Sequence, residues 1–449
     1  MKKNILVVGC GKTGASVCKF LKEFYHIYLY DDSQNSAINL ANNLNISSNY
    51  IVKSLANLPQ NLEFCVVSPG FRTTHNPHEI IVKLRELSIK IVSDYDIMCQ
   101  NLSKMQKIIG ITGTNGKSTT TSLIDFALNN LGARSIACGN IGKPVLSCDF
   151  SNINYITLEC SSYQLEISNL NIYAGILLNI TPDHLEHHGN IEEYSQQKAK
   201  IFQANSVSII SLDDENCANI FHKIPGAIGI SCKKILQNGY SYYAGKFYKN
   251  GEILPLGGQI PQIIGVHNMQ NILAALAFLI TEGFDIHDIW GAICKFESLP
   301  HRMEKALILQ GITFINDSKA TNPDAARQAI ASLSEIYLIA GGVSKYPNAI
   351  KDISDLYPRI MKFFLIGDAA QEFYDDLPND ARKELSKNMK NAVNAAYLQA
   401  KNDIKNGLVK NPIVLLSPMC ASFDQYANFE ERGDDFKNIA NNLEDGSIV

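Results

Sequence analysis

No two of the eleven cysteines stand as C-x-x-C, and their number is odd. Both facts count against a structural zinc site and against a disulfide framework. Scattered thiols in a long chain fit a reducing compartment. No apolar run reaches the ~18 residues that a membrane-spanning helix needs. Met1-Lys2-Lys3 leads into a short strand and a glycine turn rather than the apolar stretch of a signal sequence. Charge of one sign is also scarce. A net charge of −4 provides no basic footprint for nucleic acid or for an anionic membrane. The expectation is a cytoplasmic protein, monomeric, with no nucleic-acid or membrane partner. Repeats, low-complexity tracts and long Pro/Gly/Ser linkers are absent too, so neighbouring domains are expected to pack closely, with ligands in their clefts.

What is present is enough apolar sequence for large cores. The chain has 449 residues, 46% hydrophobic and 19% charged. At roughly 100–200 residues per domain this allows two to four domains. Strand-length apolar runs at Asn4–Val8, Ile27–Tyr30, Phe64–Val67 and Ile89–Val92 alternate with helical spacing. A fresh start follows at Ile108–Thr112, with further runs at Tyr155–Leu158, Ala174–Leu178 and Val207–Ser211. Tyr240–Leu254 reads as a hairpin turning at Asn250-Gly251. A third series comprises Ile312–Ile315, Ile336–Ala340, Phe363–Ile366 and Ile413–Leu416. The pattern predicts an α/β protein of three consecutive α/β domains with mostly parallel sheets. The expected boundaries are 1–98, 99–298 and 299–449.

Three features carry chemistry. Gly9-Cys10-Gly11-Lys12-Thr13-Gly14 is a G-x-G-x-x-G turn between a strand and a helix, with Asp31 and Asp32 about twenty residues on. It fits a dinucleotide, another nucleotide diphosphate, or a tight turn without ligand. An NAD-dependent oxidoreductase is the reading this unit alone suggests, but it leaves the second feature unexplained. That feature is Gly113-Thr114-Asn115-Gly116-Lys117-Ser118, again between strand and helix. Backbone N–H groups there would line phosphates, Lys117 would neutralise them, and Ser118 would reach Mg²⁺. The strict G-x-x-x-x-G-K-S pattern fails at Ile111. The third feature is a pair of strand ends. Glu159 is placed to hold Mg²⁺, and His184 lies in Thr181-Pro182-Asp183-His184 with His187 and His188 close behind. No zinc spacing completes the histidines.

These motifs occur in one order with Gly139-Asn140-Ile141-Gly142, His267-Asn268, Leu299-Pro300-His301-Arg302 and Asn316-Asp317-Ser318-Lys319-Ala320-Thr321-Asn322. Leu416-Ser417-Pro418-Met419-Cys420-Ala421-Ser422-Phe423-Asp424-Gln425-Tyr426 and Phe429-Glu430-Glu431-Arg432-Gly433 close the set. Together they resemble the Mur ligase family over essentially the whole chain. The resemblance implies a Rossmann-like N-terminal domain holding a UDP-sugar, a central P-loop-type ATPase domain, and a Rossmann-like C-terminal domain holding an amino acid. It implies ATP and Mg²⁺, the latter at two sites. The N-terminal unit and the Ser417–Gly433 stretch point to the members that add D-glutamate to UDP-N-acetylmuramoyl-L-alanine through an acyl phosphate, a step of peptidoglycan precursor synthesis.

The same resemblance implies residue roles. Gly113, Thr114, Asn115, Gly116, Lys117, Ser118, Thr119, Asn268, Asn271, Arg302 and Asp317 would bind ATP. Ser118, Glu159, His184 and a carbamylated Lys198 would hold magnesium. Lys117, His184, Lys198 and Lys319 would act at the reacting groups. Lys12, Thr13, Asp31, Asp32, Gly70 and Asn140 would hold the UDP-sugar. Thr321, Lys345, Ser422, Phe423 and Phe429 would form the D-glutamate pocket. Ser33 stands where some relatives carry an arginine, and the acid common before the family's lysine is missing ahead of Lys345.

Overall fold

The computed structural model describes residues 2–103, 105–203, 205–263 and 265–443; the side chains of Val266 and His267 lie outside the described residues. The chain builds three sheets. The first contains β1 (Lys3–Val8), β2 (Tyr25–Tyr30), β3 (Leu62–Val67) and β4 (Ile91–Val92), in the order β2-β1-β3-β4, all parallel. Its strands are apolar on both faces. Ile5 and Val7 join one core cluster, Leu6 and Val8 the other. Such continuous apolar strands belong to parallel sheets covered by helices on both sides.

The second sheet has nine strands: β5 (Lys107–Thr112), β6 (Ser135–Gly139), β7 (Tyr155–Glu159), β8 (Ala174–Leu177), β9 (Val207–Ser211), β10 (Ile228–Ser231), β11 (Tyr240–Tyr243), β12 (Lys246–Lys249) and β13 (Glu252–Ile253). Their order is β13-β12-β11-β10-β9-β8-β5-β7-β6. The expected hairpin is in fact a three-strand meander. Asn250 (φ 52) and Gly251 (φ 85) make the foreseen turn, and Ala244 (φ 47) and Gly245 (φ 79) make an earlier one.

The third sheet comprises β14 (Glu304–Leu309), β15 (Ile312–Asn316), β16 (Ile336–Gly341), β17 (Ile360–Ile366), β18 (Lys383–Lys387) and β19 (Ile413–Leu416), ordered β14-β15-β19-β16-β17-β18. Only β14 runs antiparallel. The two faces again alternate, with Leu338 and Ala340 in one core and Tyr337 and Ile339 in the other.

The chain forms two compact units. One runs to Gln259 and takes in Met269–Cys294; the other comprises Ile260–Asn268 and the chain from Lys295 onward. The first two sheets share a unit because the helix Asp94–Asn101 joins them. Tyr95 and Met98 of that helix pack into the core of the second sheet. Tyr95 Oη also donates to the carbonyl of Glu159 at 2.8 Å. The expected boundary at residue 98 falls within this helix. No described helix is long and apolar enough to cross a membrane. All eleven cysteines are free.

Candidate active site

Strands β5, β7 and β8 are adjacent and parallel, so their C-terminal ends open on one edge. Ile111 stands level with Glu159, and Thr112 with Leu177. That edge is where ligands bind in open α/β sheets. Beyond Thr112 the chain turns through Gly113–Gly116 into the helix Lys117–Asn130. Gly116 has φ +84, and a Cβ there would stand 2.4 Å from Asn271 Oδ1. Only glycine fits that turn.

The loop is pinned by the next strand end. Asn179 Oδ1 accepts from the Asn115 amide at 2.8 Å, and the Asn179 carbonyl accepts from the Thr114 amide at 2.8 Å. Thr114 Oγ1 donates to the Thr181 carbonyl at 3.1 Å, and Thr120 Oγ1 donates to Asn271 Oδ1 at 3.1 Å. Thus Asn179 and Thr181 hold Thr114 and Asn115, while Asn271 holds Thr120 in the helix that follows. Ser118 and Thr119 lie buried in the first turn of its helix, where amides lack intrahelical acceptors.

Two amines converge on that loop. Lys117 Nζ donates to the carbonyls of Gly113 (2.9 Å) and Thr114 (2.8 Å). Lys198, from the helix Ile191–Ala199, donates to the same Gly113 carbonyl at 2.8 Å. Lys198 is only 1% exposed, not the solvated helix-face lysine that its sequence context suggests. Burial, reinforced by the neighbouring charge of Lys117, pushes its ammonium well below the usual lysine range.

His184 has φ +54, a left-handed conformation unusual for histidine, and precedes the short helix Leu185–His188. Burial lowers its pKa against the raising effect of Asp183 and Glu186, and the charges of Lys117 and Lys198 lower it further. Glu159 is 2% exposed. Its Oε1 accepts from Asn140 Nδ2 at 2.9 Å, while its Oε2 is buried with no partner among the described residues. Asn140, expected at the UDP-sugar, is therefore fastened to this acid.

At the first sheet, Asp31 closes the glycine turn. Its carboxylate accepts from the amides of Cys10 (2.7 Å) and Ser33 (2.9 Å). Lys12 and Thr13 open the helix Lys12–Leu21 that follows. A cavity of about 390 Å³ is lined by Asp31, Asp32, Gly70, Phe71, Arg72, Asn76 and His78. His78 Nε2 lies 3.2 Å from Asp32 Oδ1, and its ring packs edge-on against Phe71.

In the other unit, the C-terminal ends of β15, β19 and β16 also share an edge. The loops leaving them are bonded together: Asp317 N–H to Leu416, Met419 N–H to Ala320, and Gly341 N–H to Pro418. Asp317 accepts from Ser417 Oγ at 3.0 Å and from the Met303 amide at 3.2 Å. Burial outweighs those bonds and the nearby Arg302 charge and raises its pKa to about 7. Lys319 Nζ stands 3.8 Å from the centre of the Phe429 ring. Thr321 donates its amide to the Lys319 carbonyl at 2.8 Å. Ser422 is buried, whereas Phe423 is 70% exposed. Lys345 is exposed, beyond Val343, which bridges to Ala421. His301 and Met303, on either side of Arg302, both have positive φ. Asn268 is buried in this unit's share of the helix Val266–Thr281.

Residues 111–279 match the Mur ligase middle domain and 301–418 the Mur ligase glutamate ligase domain. The UDP-N-acetylmuramoylalanine–D-glutamate ligase of Rickettsia prowazekii is 38% identical over 446 residues, covering 97% of this chain and 97% of that protein. The chain belongs to the Mur ligase family. The equivalent ligase of Nitrobacter winogradskyi is 35% identical, covering 98% and 97%. Among solved structures, the UDP-N-acetylmuramate–alanine ligase of Thermotoga maritima superposes with a TM-score of 0.59 at 17% identity, covering 99% of this chain and 100% of that one.

Mur ligases are ATP-dependent and generally use Mg²⁺. The residues of this Mur ligase fit both. A buried carboxylate oxygen without a partner, at Glu159, is what a hard cation would satisfy. The Lys117 amine and a helix N-terminus suit phosphate. Sequence reasoning passed over several residues that the structure brings to these sites. Phe71, Arg72, Asn76 and His78 line the cavity at Asp31, and the nearby Ser68-Pro69-Gly70 turn was their only sequence signal. Arg432 sat inside a quoted motif without a role. It is 1% exposed and donates to Ser318 Oγ (2.9 Å), the Ser318 carbonyl (2.8 Å) and the Cys420 carbonyl (3.1 Å).

Proposed function

We propose that this Mur ligase joins D-glutamate to UDP-N-acetylmuramoyl-L-alanine, in the cytoplasm and as a monomer, for peptidoglycan precursor synthesis. Neither nucleic acid nor membrane takes part. The observation that carries the reading is the near-complete span shared with D-glutamate ligases, combined with Lys117, Lys198, His184 and Glu159 gathered at one sheet edge. The domains are 1–98 for the UDP-sugar, 99–298 for ATP, and 299–449 for the amino acid.

The substrate carboxylate takes the γ-phosphoryl group of ATP, and the D-glutamate amine then displaces phosphate from the acyl phosphate. Both steps concentrate negative charge, so cations and positioning supply the catalysis. Lys117 neutralises phosphate oxygens as they gain charge. Gly113, Thr114, Asn115, Gly116, Ser118 and Thr119 orient the triphosphate through backbone and hydroxyl groups, and Asn271 holds the loop from behind. Asn268, Arg302 and Asp317 hold the nucleotide. Ser118, Glu159, His184 and Lys198 hold Mg²⁺, which supplies Lewis-acid neutralisation of the phosphoryl oxygens.

Lys198 serves that purpose as a carbamate. Its burial favours the neutral amine, whose lone pair adds to the carbon of CO₂. One N–H proton leaves to solvent, and a cation becomes an anionic oxygen ligand. Thr13, Asp31, Asp32, Gly70 and Asn140 position the UDP-sugar, with Arg72 supplying the positive charge that Ser33 does not. Lys319 and Thr321 sit near the reacting groups, and Lys345, Ser422, Phe423 and Phe429 receive D-glutamate.

The test is a panel of amino acids incubated with ATP and the UDP-sugar substrate, following phosphate release and product mass. D-glutamate alone is expected to give product. Turnover with another amino acid and none with D-glutamate overturns the assignment.

A further inference from the structure

Glu166, His187 and His188 form a buried cluster apart from the magnesium residues. Glu166 and His187 are each 6% exposed and His188 is fully buried. Their ligand atoms all lie within 4.8 Å of one another. His187 Nε2 is 2.7 Å from Glu166 Oε2, and His188 Nδ1 is 3.8 Å from that same oxygen.

His188 Nδ1 is buried and has no hydrogen-bond partner among the described residues. Its other nitrogen, Nε2, is engaged with Ser162 Oγ at 2.9 Å. If Ser162 accepts, Nδ1 carries a bare lone pair facing a carboxylate oxygen. If Ser162 donates, an Nδ1–H points at an acceptor too distant to take it. The first tautomer offers that lone pair to a cation, and the second reaches it when the ring proton moves from Nδ1 to Nε2 and Ser162 Oγ turns to accept.

The surroundings are those of a built site. Glu166 Oε1 accepts from the amide and hydroxyl of Thr73, both at 2.7 Å, and from the amide and hydroxyl of Thr74 at 2.8 and 3.1 Å. These bonds fix the carboxylate and leave Oε2 for a ligand. The Tyr163 ring packs on both imidazoles, at 4.3 and 5.5 Å between centroids, and Tyr194 packs on His188 at 5.3 Å. Outer-shell bonds and an apolar wall of this kind orient metal ligands.

We propose that Glu166 Oε2, His187 Nε2 and His188 Nδ1 bind a divalent transition ion of the zinc class. Two imidazoles and one carboxylate favour such an ion over Mg²⁺, which takes oxygen ligands. The proton shared by His187 and Glu166 goes to solvent as the ion enters. Through Glu166 the ion ties the Thr73–Thr74 loop to the helix that follows His184.

The full chain, stripped with chelator, is crystallised with Zn²⁺ and excess Mg²⁺, and anomalous diffraction is recorded at the zinc edge. A peak among the three side chains is expected. In solution, equilibrium dialysis with Zn²⁺ should show Glu166→Gln and His188→Gln each weakening one site at least ~10-fold, with unchanged circular dichroism. Zinc found only at cysteines or at Glu159 and His184, or binding unaltered by both substitutions, overturns the proposal. The amino-acid panel is run with Mg²⁺ alone, so its outcome is independent.

Discussion

The glycine turn after β1 and the glycine loop after β5 use one backbone device with different side chains around it. Each ends a parallel strand and starts a helix. After β1, the Cys10 amide is taken by the Asp31 carboxylate, and a second acid, Asp32, lines the cavity beside it. After β5, the loop amides are taken by neutral Asn179, and two amines share the Gly113 carbonyl. Glycines permit the close approach, but the side chains contributed by neighbouring strands decide what approaches. Asp31, Asp32 and Arg72 line a cavity at the first loop. The other suits a triphosphate with metal.

The largest effect that would break this contrast lies at Lys117. Lys117→Ala is expected to lower kcat about 10²–10³-fold, measured by phosphate release, with the fold intact. Full turnover would reduce the second loop to a scaffold.

An acid at a strand end also behaves differently by burial, which sharpens the comparison. Asp317, beyond β15, has its pKa raised to about 7, whereas Asp31 bonds to backbone amides. The folded pKa lies above the unfolded value of 3.8, so the folded state binds the extra proton. Its contribution is fully present below the unfolded value and is lost as pH rises through about 7. Asp317→Asn should flatten that fall and raise stability near pH 8 by on the order of 2–4 kcal/mol, read from urea midpoints. An unchanged slope between pH 4 and 8 would refute the raised pKa.

The glycine turn itself separates steric from chemical demands. A Cβ on Gly14 would stand 1.9 Å from the Gly9 carbonyl oxygen, whereas one on Gly11 would meet nothing within 4 Å. Gly14→Ala should cost about 1–3 kcal/mol of stability, and Gly11→Ala within about 0.5. If Gly11→Ala instead raises KM for the UDP-sugar, that glycine is there for the ligand. A modest effect, on binding alone, is expected at Asp31. Asp31→Asn should raise KM for the UDP-sugar about tenfold and leave kcat alone. A kcat loss without a KM change would mean that this turn serves the chemistry.

Much of this was legible in the residues. Strands buried on both faces, such as Val207–Ser211 and Ile413–Leu416, stood out as apolar runs. The edge strands β6, β14 and β18 did not. Lys383–Lys387 reads KELSK, with one buried residue, because an edge strand needs neighbours on one side only. β10 was hidden for another reason: it is four residues long with a glycine in it. The turn Ala244-Gly245 lacks the Asn-Gly signature of its neighbour. At the site, Lys117, Glu159 and His184 were visible because each lies at or beyond the end of a strand. Lys198 was visible only by family resemblance, since burial of a helix lysine is a tertiary fact. Glu166 escaped altogether, as its partners Thr73 and Thr74 lie more than ninety residues earlier.

Arg432 gives the third sheet's loops a particular evolutionary character. One guanidinium is the shared peg for a loop leaving β15 and a loop leaving β19. Neither loop can drift in shape without dragging the other. Exchange is thus easiest at projecting positions such as Phe423, which can vary while the peg stays in its socket.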